Sequence, residues 1–186
     1  PARPLMMQPS THHRAFDTAA IRHALGYRDV VPAREAVARC HAVGATFLVN
    51  DHADIAAEVG ADGVHVGQLD APAAVVRALV GPGRIVGRST HDPVALAKAR
   101  RSADYVAFGP VFPTAAERLS WAKPQQSLAT LAEARHHAGD TPLVAIGGID
   151  APRLAAVRAT GVDAWAVIGA IASAADPVEA TRALCP

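Results

Sequence analysis

Six short apolar runs, separated by segments of helical period, constrain this chain more than any other feature. From residue 46 onward they read TFLVN, GVHVG, RIVGR, YVAFG, LVAIGG and WAVIG. Helical spacing fills the stretches 52–59, 72–79, 93–101, about 126–138, 151–159 and 176–184. The runs are too short for ordinary helices and are apolar on both faces. A strand buried on both faces belongs in a parallel sheet covered by helices. The alternation therefore predicts an α/β fold with a parallel sheet.

A weak internal repeat carries the same message. GADGVHV (60–66), SADYVAFG (102–109) and GVDAWAVIG (161–169) each run from a helix end through a small residue and an Asp into a buried strand. Helix starts also rhyme. Asp70 and Asp150 stand two residues before a Pro, and Asp92 and Asp176 stand one before. An Asp N-cap ahead of a first-turn Pro is a helix-start signal. Each helix is then expected to begin directly after a strand, on one common face. Such βα units fit a TIM (β/α)8-type barrel best, with a doubly wound open sheet second. Toward the N-terminus, VPAREAVARCHAVG reads as a helix ended by Gly44, GYRDV as a short strand and DTAAIRHALG as a helix. No apolar strand precedes them in PARPLMMQPSTHHR. The expectation is a single domain over 1–186 whose barrel is incomplete or degenerate at its first strand, the chain being a natural truncation or a gene-model fragment.

Composition narrows the function classes. The 186 residues are 51% hydrophobic and 19% charged, enough for one domain with a sizeable core. Aromatics are only 4%, which suits close packing of helices on a sheet. Net charge is +1, and no basic stripe with interleaved aromatics argues for nucleic acid. Cys40 and Cys185 form neither a framework nor a CxxC pair, as expected of thiols in a reducing compartment. No apolar run approaches the roughly 20 residues of a membrane helix. The first residues lack the apolar centre of a signal peptide. A cytoplasmic protein is expected, with a homo-oligomer possible but not selected by the sequence.

In a barrel, chemistry sits where strands end and helices begin. The strand-end residues are Asn50 and Asp51, Gln68 and Asp70, Ser89 to His91, Pro110 to Thr114, Gly147 and Gly148, and Gly169 and Ala170. Asp51 and Asp70 each read first as a helix cap. They also fall on successive strand ends, which a barrel places side by side. Two carboxylates in one mouth suit a Mg²⁺ that also takes phosphate oxygens and waters, with Asn50 as a donor beside them. The IGGI and VIGA turns precede the last two helices, where backbone N–H groups suit a phosphate. His91 falls in the loop ahead of a helix that Asp92 caps, either solvated or poised for proton transfer. His65 is expected to face the barrel interior. No His/Cys spacing supports a metal cluster.

These residues together resemble the thiamine-phosphate synthase family and its relative, the thiazole tautomerase (TenI-like) family. FLVNDHADIAAEVGADGVHVGQLDAP, GRSTH, ADYVAFGPVFPT, VAIGGI and GVDAWAVIGAI carry the resemblance, over about residues 27–184. It implies a TIM barrel of thiamine biosynthesis acting on small phosphorylated molecules. In the synthase, hydroxymethylpyrimidine diphosphate loses pyrophosphate and the thiazole phosphate nitrogen attacks the cation. The resemblance implies that Asp51 and Asp70 hold Mg²⁺ on the diphosphate, with Asn50 and Arg28 at the same substrate. It sets Ser89 beside the reacting pyrimidine and gives Thr114 a thiazole phosphate or diphosphate contact. It makes Gly148, Ile168 and Gly169 backbone donors to the thiazole phosphate.

Two departures bear on the reaction. The family's Gln-x-Arg-Glu-Lys segment is GYRDVV here, so Arg28 survives while Val30 holds the Lys position. The family's Pro-Thr-x-Thr-Lys loop is PTAAERLSWAK, with Ala116 and Glu117 at the second Thr and the Lys; Lys123 lies further on. Each lost charge-assisted bond costs about 1.5–3 kcal/mol, which lowers diphosphate affinity. The tautomerase needs no diphosphate and uses a histidine for proton transfer. GRSTH and FGPVF resemble that branch, with His91 as the acid-base group. Synthase is the leading expectation, tautomerase the second, and a truncated non-catalytic phosphate-binding relative the third.

Overall fold

The computed structural model describes residues 33–114 and 124–185. They fall into two compact bodies that divide within one strand, the first reaching Gly87 and the second beginning at Arg88. The first body contains α1 (Ala33–Ala42), β1 (Leu48–Asn50), α2 (Ala53–Val59), β2 (Gly63–Val66), α3 (Ala73–Val80) and the start of β3 (Ile85–Thr90). The second contains the end of β3, α4 (Pro93–Ala99), β4 (Tyr105–Phe108), α5 (Leu128–Ala138), β5 (Leu143–Ile146), α6 (Ala151–Arg158), β6 (Ala164–Ala166), α7 (Gly169–Ala172) and α8 (Pro177–Ala183). Strand neighbours follow chain order, β1–β2–β3 in the first body and β3–β4–β5–β6 in the second. The β1–β2 pair is parallel with Leu48 opposite Gly63. The β4–β5 and β5–β6 pairs are parallel too, with Val106 opposite Leu143 and Val144 opposite Ala164.

This is the α/β fold of TIM (β/α)8 type that the alternation predicts, with six strands among the described residues. The helix expected over 31–44 is realised as α1, Ala33–Ala42. GYRDV and DTAAIRHALG lie outside the described residues. One element is additional: α7 opens directly after β6, ahead of the expected final helix.

Burial explains why the strands read as unbroken apolar runs. All four residues of β2 and all four of β4 are buried. In the first body Val37, Phe47, Val49, Val64, Val66, Val76 and Val86 pack together. In the second, Leu96, Phe108, Leu131, Leu143, Leu154 and Trp165 form the core. Phe108, Leu96, Leu131 and Leu143 are fully buried, and each such side chain contributes about 1.5–3 kcal/mol relative to exposure. The Trp165 Nε1–H donates to the Leu184 carbonyl at 3.2 Å, which ties the chain after α8 to β6.

The repeated Asp has a structural function. Asp62 stands just before β2; its Oδ2 accepts the Phe47 N–H at 2.7 Å, and its own N–H donates to the Phe47 carbonyl at 3.0 Å. Asp163 stands just before β6 and does the same to Leu143, at 2.8 and 3.0 Å. Each Asp therefore locks the start of its strand against the start of the strand before it. Asp163 also pairs with Arg135 of α5.

Burial pulls the Asp62 carboxyl upward, but the Phe47 N–H and His41 outweigh it and hold it below the ordinary carboxylate range. A depressed pKa contributes stability above the unfolded value, about 3.9, and that stability is lost as pH falls through the folded value. Asp62→Asn is therefore expected to lower stability by about 1 kcal/mol at neutral pH, after allowance for solvent screening. The gap from the parent should close below about pH 4. Urea unfolding at a series of pH values checks this, and a gap that stays constant down to acid pH would refute it.

Candidate active site

The helix caps separate working acids from structural ones. Asp92 Oδ1 accepts the Ala95 N–H at 2.8 Å, and Asp150 Oδ1 accepts the Arg153 N–H at 3.1 Å. Asp176 Oδ1 accepts from Val178 and Glu179 at 2.9 and 3.0 Å. All three are the caps that the Asp-Pro grammar predicts. Asp51 and Asp70, which read first as caps, are not. The N-cap of α2 is His52 and that of α3 is Pro72, and neither helix start carries a side-chain cap.

The acid pair belongs to the first body. β1 ends at Asn50, which is half-buried, and the chain then takes Asp51 to φ 65°. A non-glycine residue there is strained, at a cost of order 1–3 kcal/mol. The Asp51 N–H donates to the His65 carbonyl of β2 at 2.7 Å, which fixes that backbone in place. At the end of β2 the chain folds back, and Asp70 Oδ2 accepts the Gly67 N–H at 2.6 Å. A Cβ on Gly67 would lie 3.2 Å from that oxygen, so glycine permits the approach. The Asp51 and Asp70 carboxyl groups come close enough to act on each other. Burial, followed by the Asp70 hydrogen bond and charge, pushes Asp51 up to about 7. His65 is buried in β2, as is every residue of that strand.

Two half-buried carboxyls that interact in this way suit a cation held between them. Among the described residues no cluster of three or more His, Cys, Asp or Glu forms a metal site. Mg²⁺ does not need one, because it binds through one or two carboxylates and fills its octahedron with water and phosphate oxygens. The donor set fits Mg²⁺ on that count.

The second body carries the other candidates. At the end of β3, Ser89 is half-buried, while Thr90 is 1% exposed and its Oγ1 donates to the Ala107 carbonyl at 2.9 Å. Thr90 therefore ties β3 to β4. His91 is half-buried between Thr90 and the capping Asp92. Beyond β5, Gly147 and Gly148 turn at φ 94° and 62°. A Cβ at Gly147 would lie 2.4 Å from Pro110, and one at Gly148 would lie 2.5 Å from the Pro113 carbonyl. The segment 110–113 lies on this turn, with Val111 and Phe112 N–H groups donating to Ile146 and Gly147 carbonyls at 3.0 and 3.1 Å. Thr114 follows directly, half-buried. Gly169 differs: it opens α7 after exposed Ile168, and a Cβ there would meet nothing within 4 Å. Sterics demand glycine at 147 and 148 but not at 169. Arg28, Ala116, Glu117 and Lys123 lie outside the described residues.

One residue escapes sequence reasoning. Arg153 Nη1 donates to the Gly148 carbonyl at 2.7 Å and lies 3.4 Å from Asp150 Oδ2. Its guanidinium carbon stands 4.9 Å from the centre of the Phe112 ring. The available signal was a cation in the first turn of a helix, where the dipole disfavours it by about 0.3–1 kcal/mol.

Parallel βα units with polar residues at the carboxyl ends of their strands define the TIM-type α/β class. The family model of thiamine monophosphate synthase matches residues 28–171. The thiamine-phosphate synthase of Laribacter hongkongensis is 48% identical over 145 residues, covering 78% of this chain and 67% of that protein. That of Thermosynechococcus vestitus is 44% identical, covering 97% of this chain and 54% of that protein. The solved thiamine phosphate pyrophosphorylase from Pyrococcus furiosus superposes with a TM-score of 0.71 at 31% identity, covering 93% of this chain and 90% of that one. The chain belongs to the thiamine monophosphate synthase family. It spans about two thirds or less of the length of these two curated relatives.

The acid pair sets a pH and metal dependence. The folded state keeps a proton on Asp51 that the unfolded chain releases above about pH 4. Stability of the metal-free protein therefore falls as pH rises from about 4 to about 7 on account of this group. Millimolar Mg²⁺ is expected to raise the melting temperature more at pH 8 than at pH 5, where the proton competes. Asp51→Asn should remove both effects. Thermal melts with and without Mg²⁺ at the two pH values check this; equal shifts at both would contradict it.

Proposed function

We propose that this chain is a thiamine-phosphate synthase. It joins hydroxymethylpyrimidine diphosphate to thiazole phosphate, giving thiamine phosphate and pyrophosphate. The observation that carries the proposal is the release of Asp51 and Asp70 from capping and their meeting as a carboxyl pair. Family membership supports the same reading. No helix among the described residues is long and apolar enough to cross a membrane. A cytoplasmic enzyme acting on small phosphorylated molecules, without nucleic acid, accords with this; self-association is left to measurement.

In this reading the C–O bond between the pyrimidine methylene and the diphosphate breaks, and the electron pair leaves with pyrophosphate. The thiazole nitrogen then supplies the pair for the new C–N bond. Asp51 and Asp70 would hold Mg²⁺, which when bound neutralises charge on the departing diphosphate. Asn50 donates to the pyrimidine substrate beside them, and Arg28 meets diphosphate charge. The family resemblance would give Ser89 the reacting pyrimidine. Thr114 and the N–H groups around Gly148, Ile168 and Gly169 take the thiazole phosphate. Val30 and Glu117 stand where the family carries lysines, so weak diphosphate binding is expected.

A second reading, thiazole tautomerisation with His91 as acid and base, draws on one observation. His91 is half-buried at the end of β3 and is not used as a cap, because Asp92 serves there. Purified protein should be incubated with Mg²⁺ and both substrates, and thiamine phosphate measured. Product is expected, with Asp51→Asn and Asp70→Asn each lowering kcat/KM about 100-fold or more. No product, together with His91-dependent turnover of the thiazole carboxylate tautomer, would replace this reading with the second. Turnover of neither would leave a non-catalytic relative.

A further inference from the structure

We propose that Arg153 is a positioning residue for the thiazole phosphate, acting by fastening two loops to each other. This rests on the synthase reading of the glycine turn. The two loops are the 147–148 turn after β5 and the 110–114 segment after β4, and Arg153 touches both. Its Nη1 donates to the Gly148 carbonyl at 2.7 Å, and its guanidinium plane lies by the Phe112 ring, 4.9 Å from the centroid. Asp150 Oδ2, 3.4 Å away, holds the same nitrogen from the helix cap.

The chemistry of the peptide makes this more than a surface contact. The Gly148 carbonyl and the Ile149 N–H belong to one planar trans unit. Pinning the oxygen on the Arg153 side therefore directs that N–H to the opposite side. Gly148 has no side chain to restrain its own dihedrals, and its φ of 62° is open to glycine in several neighbouring conformations. Without a restraint the turn can rotate its peptide and lose the donor direction. Phe112 gives Arg153 a second anchor on the other loop, which carries Thr114 two residues on. A lysine cannot reproduce the arrangement, because it lacks the planar fork that bonds at one edge and stacks on its face.

The cation also has a reason to stand against the helix dipole. α6 is eight residues long and begins at Ala151, immediately behind the turn. A positive side chain is unfavourable at a helix N-terminus, and Asp150 Oδ2 at 3.4 Å offsets that cost while leaving Arg153 on the Gly148 carbonyl.

The test compares Arg153→Met, Arg153→Lys and Phe112→Leu with the parent. Binding of thiazole phosphate is measured by calorimetry, and steady-state kinetics are run with each substrate varied. Arg153→Met is expected to weaken thiazole phosphate binding and raise its KM about tenfold, with kcat within about threefold. The KM for the pyrimidine diphosphate should not move. Arg153→Lys should recover only part of the loss, and Phe112→Leu, which keeps the Gly148 bond, should show a smaller one. Thermal melts identify any variant that simply fails to fold, and Phe112→Leu then decides the question. Unchanged thiazole phosphate affinity in Arg153→Met, an equal rise in both KM values, or a parent protein that binds no thiazole phosphate would overturn the proposal. Parent protein that binds the thiazole phosphate but forms no product would instead defeat the synthase reading, and the calorimetry would still judge Arg153.

Discussion

Everything at the strand ends depends on register, and a single side chain sets it at both places where it is described. Asp62 grips both backbone groups of Phe47, and Asp163 grips both of Leu143. Side chains alternate along a strand, so a slip of one residue would carry every inward group to the opposite face. Parallel strands have no tight turn to fix their alignment. A carboxylate just before the strand supplies the alignment instead, by capping the backbone of its neighbour. That is why the Asp recurs in GADGV and GVDAW, at positions where a strand propensity scale would disfavour it. With the starts locked, the ends follow, and Asn50, Asp51 and the Gly147–Gly148 turn emerge at defined heights.

The same residue type then does three different jobs, distinguished by what its oxygen accepts. Asp62 and Asp163 accept from a neighbouring strand. Asp92, Asp150 and Asp176 accept from the first turn of their own helix. Asp51 and Asp70 do neither and meet each other. Their arrangement is costly without a cation: one backbone is held at a positive φ, and burial with a like neighbour makes ionisation of Asp51 unfavourable. Strain and desolvation of this kind persist where surrounding contacts over-determine them, and the 2.7 Å bond from Asp51 N–H to His65 and the 2.6 Å bond from Gly67 N–H to Asp70 supply that determination. Such costs concentrate at working sites.

The fold was legible because its signals are local. Strand burial on both faces shows in composition, helix starts show in Asp-Pro pairs, and both survived with boundaries moved by up to three residues, β3 running on to Thr90. The site was legible only in outline. Strand-end position identifies Asp51, Asp70 and Gly148 as candidates, but the cap grammar assigns Asp70 wrongly. Pro72 caps nothing through its side chain, and yet it stands where the grammar needs it. What decides between cap and site is the direction of a carboxylate three or four bonds from the backbone, and no spacing records that. Thr90 shows the converse case. It reads as part of a polar cluster with Ser89 and His91, but it is buried and spent on the Ala107 carbonyl. The short α7 was missed because a four-residue helix gives no periodic pattern to detect.

Charge is where structure and chemistry press hardest on each other. In the proposed reaction a departing diphosphate carries several negative charges, and the candidates described for that end, Asp51 and Asp70, are acids. Carboxylates can assist an anion only through a cation held between them, so the acid pair makes sense for this reaction only as a metal seat. The thiazole end is built on the opposite principle. In the proposed reading the donors there are backbone N–H groups on a turn whose glycines are required by contact with Pro110 and Pro113, and Arg153 holds the Gly148 carbonyl behind them. A monoester phosphate needs fixed donors more than it needs neutralisation, because it is bound and released unchanged. The diphosphate needs neutralisation that grows as the bond breaks, which a rigid set of amides cannot provide and a mobile hydrated ion can. In the proposed reading the replacement of lysines by Val30 and Glu117 bears on the leaving group. It would put more of that burden on the ion that Asp51 and Asp70 would hold, and would leave thiazole recognition to the turn.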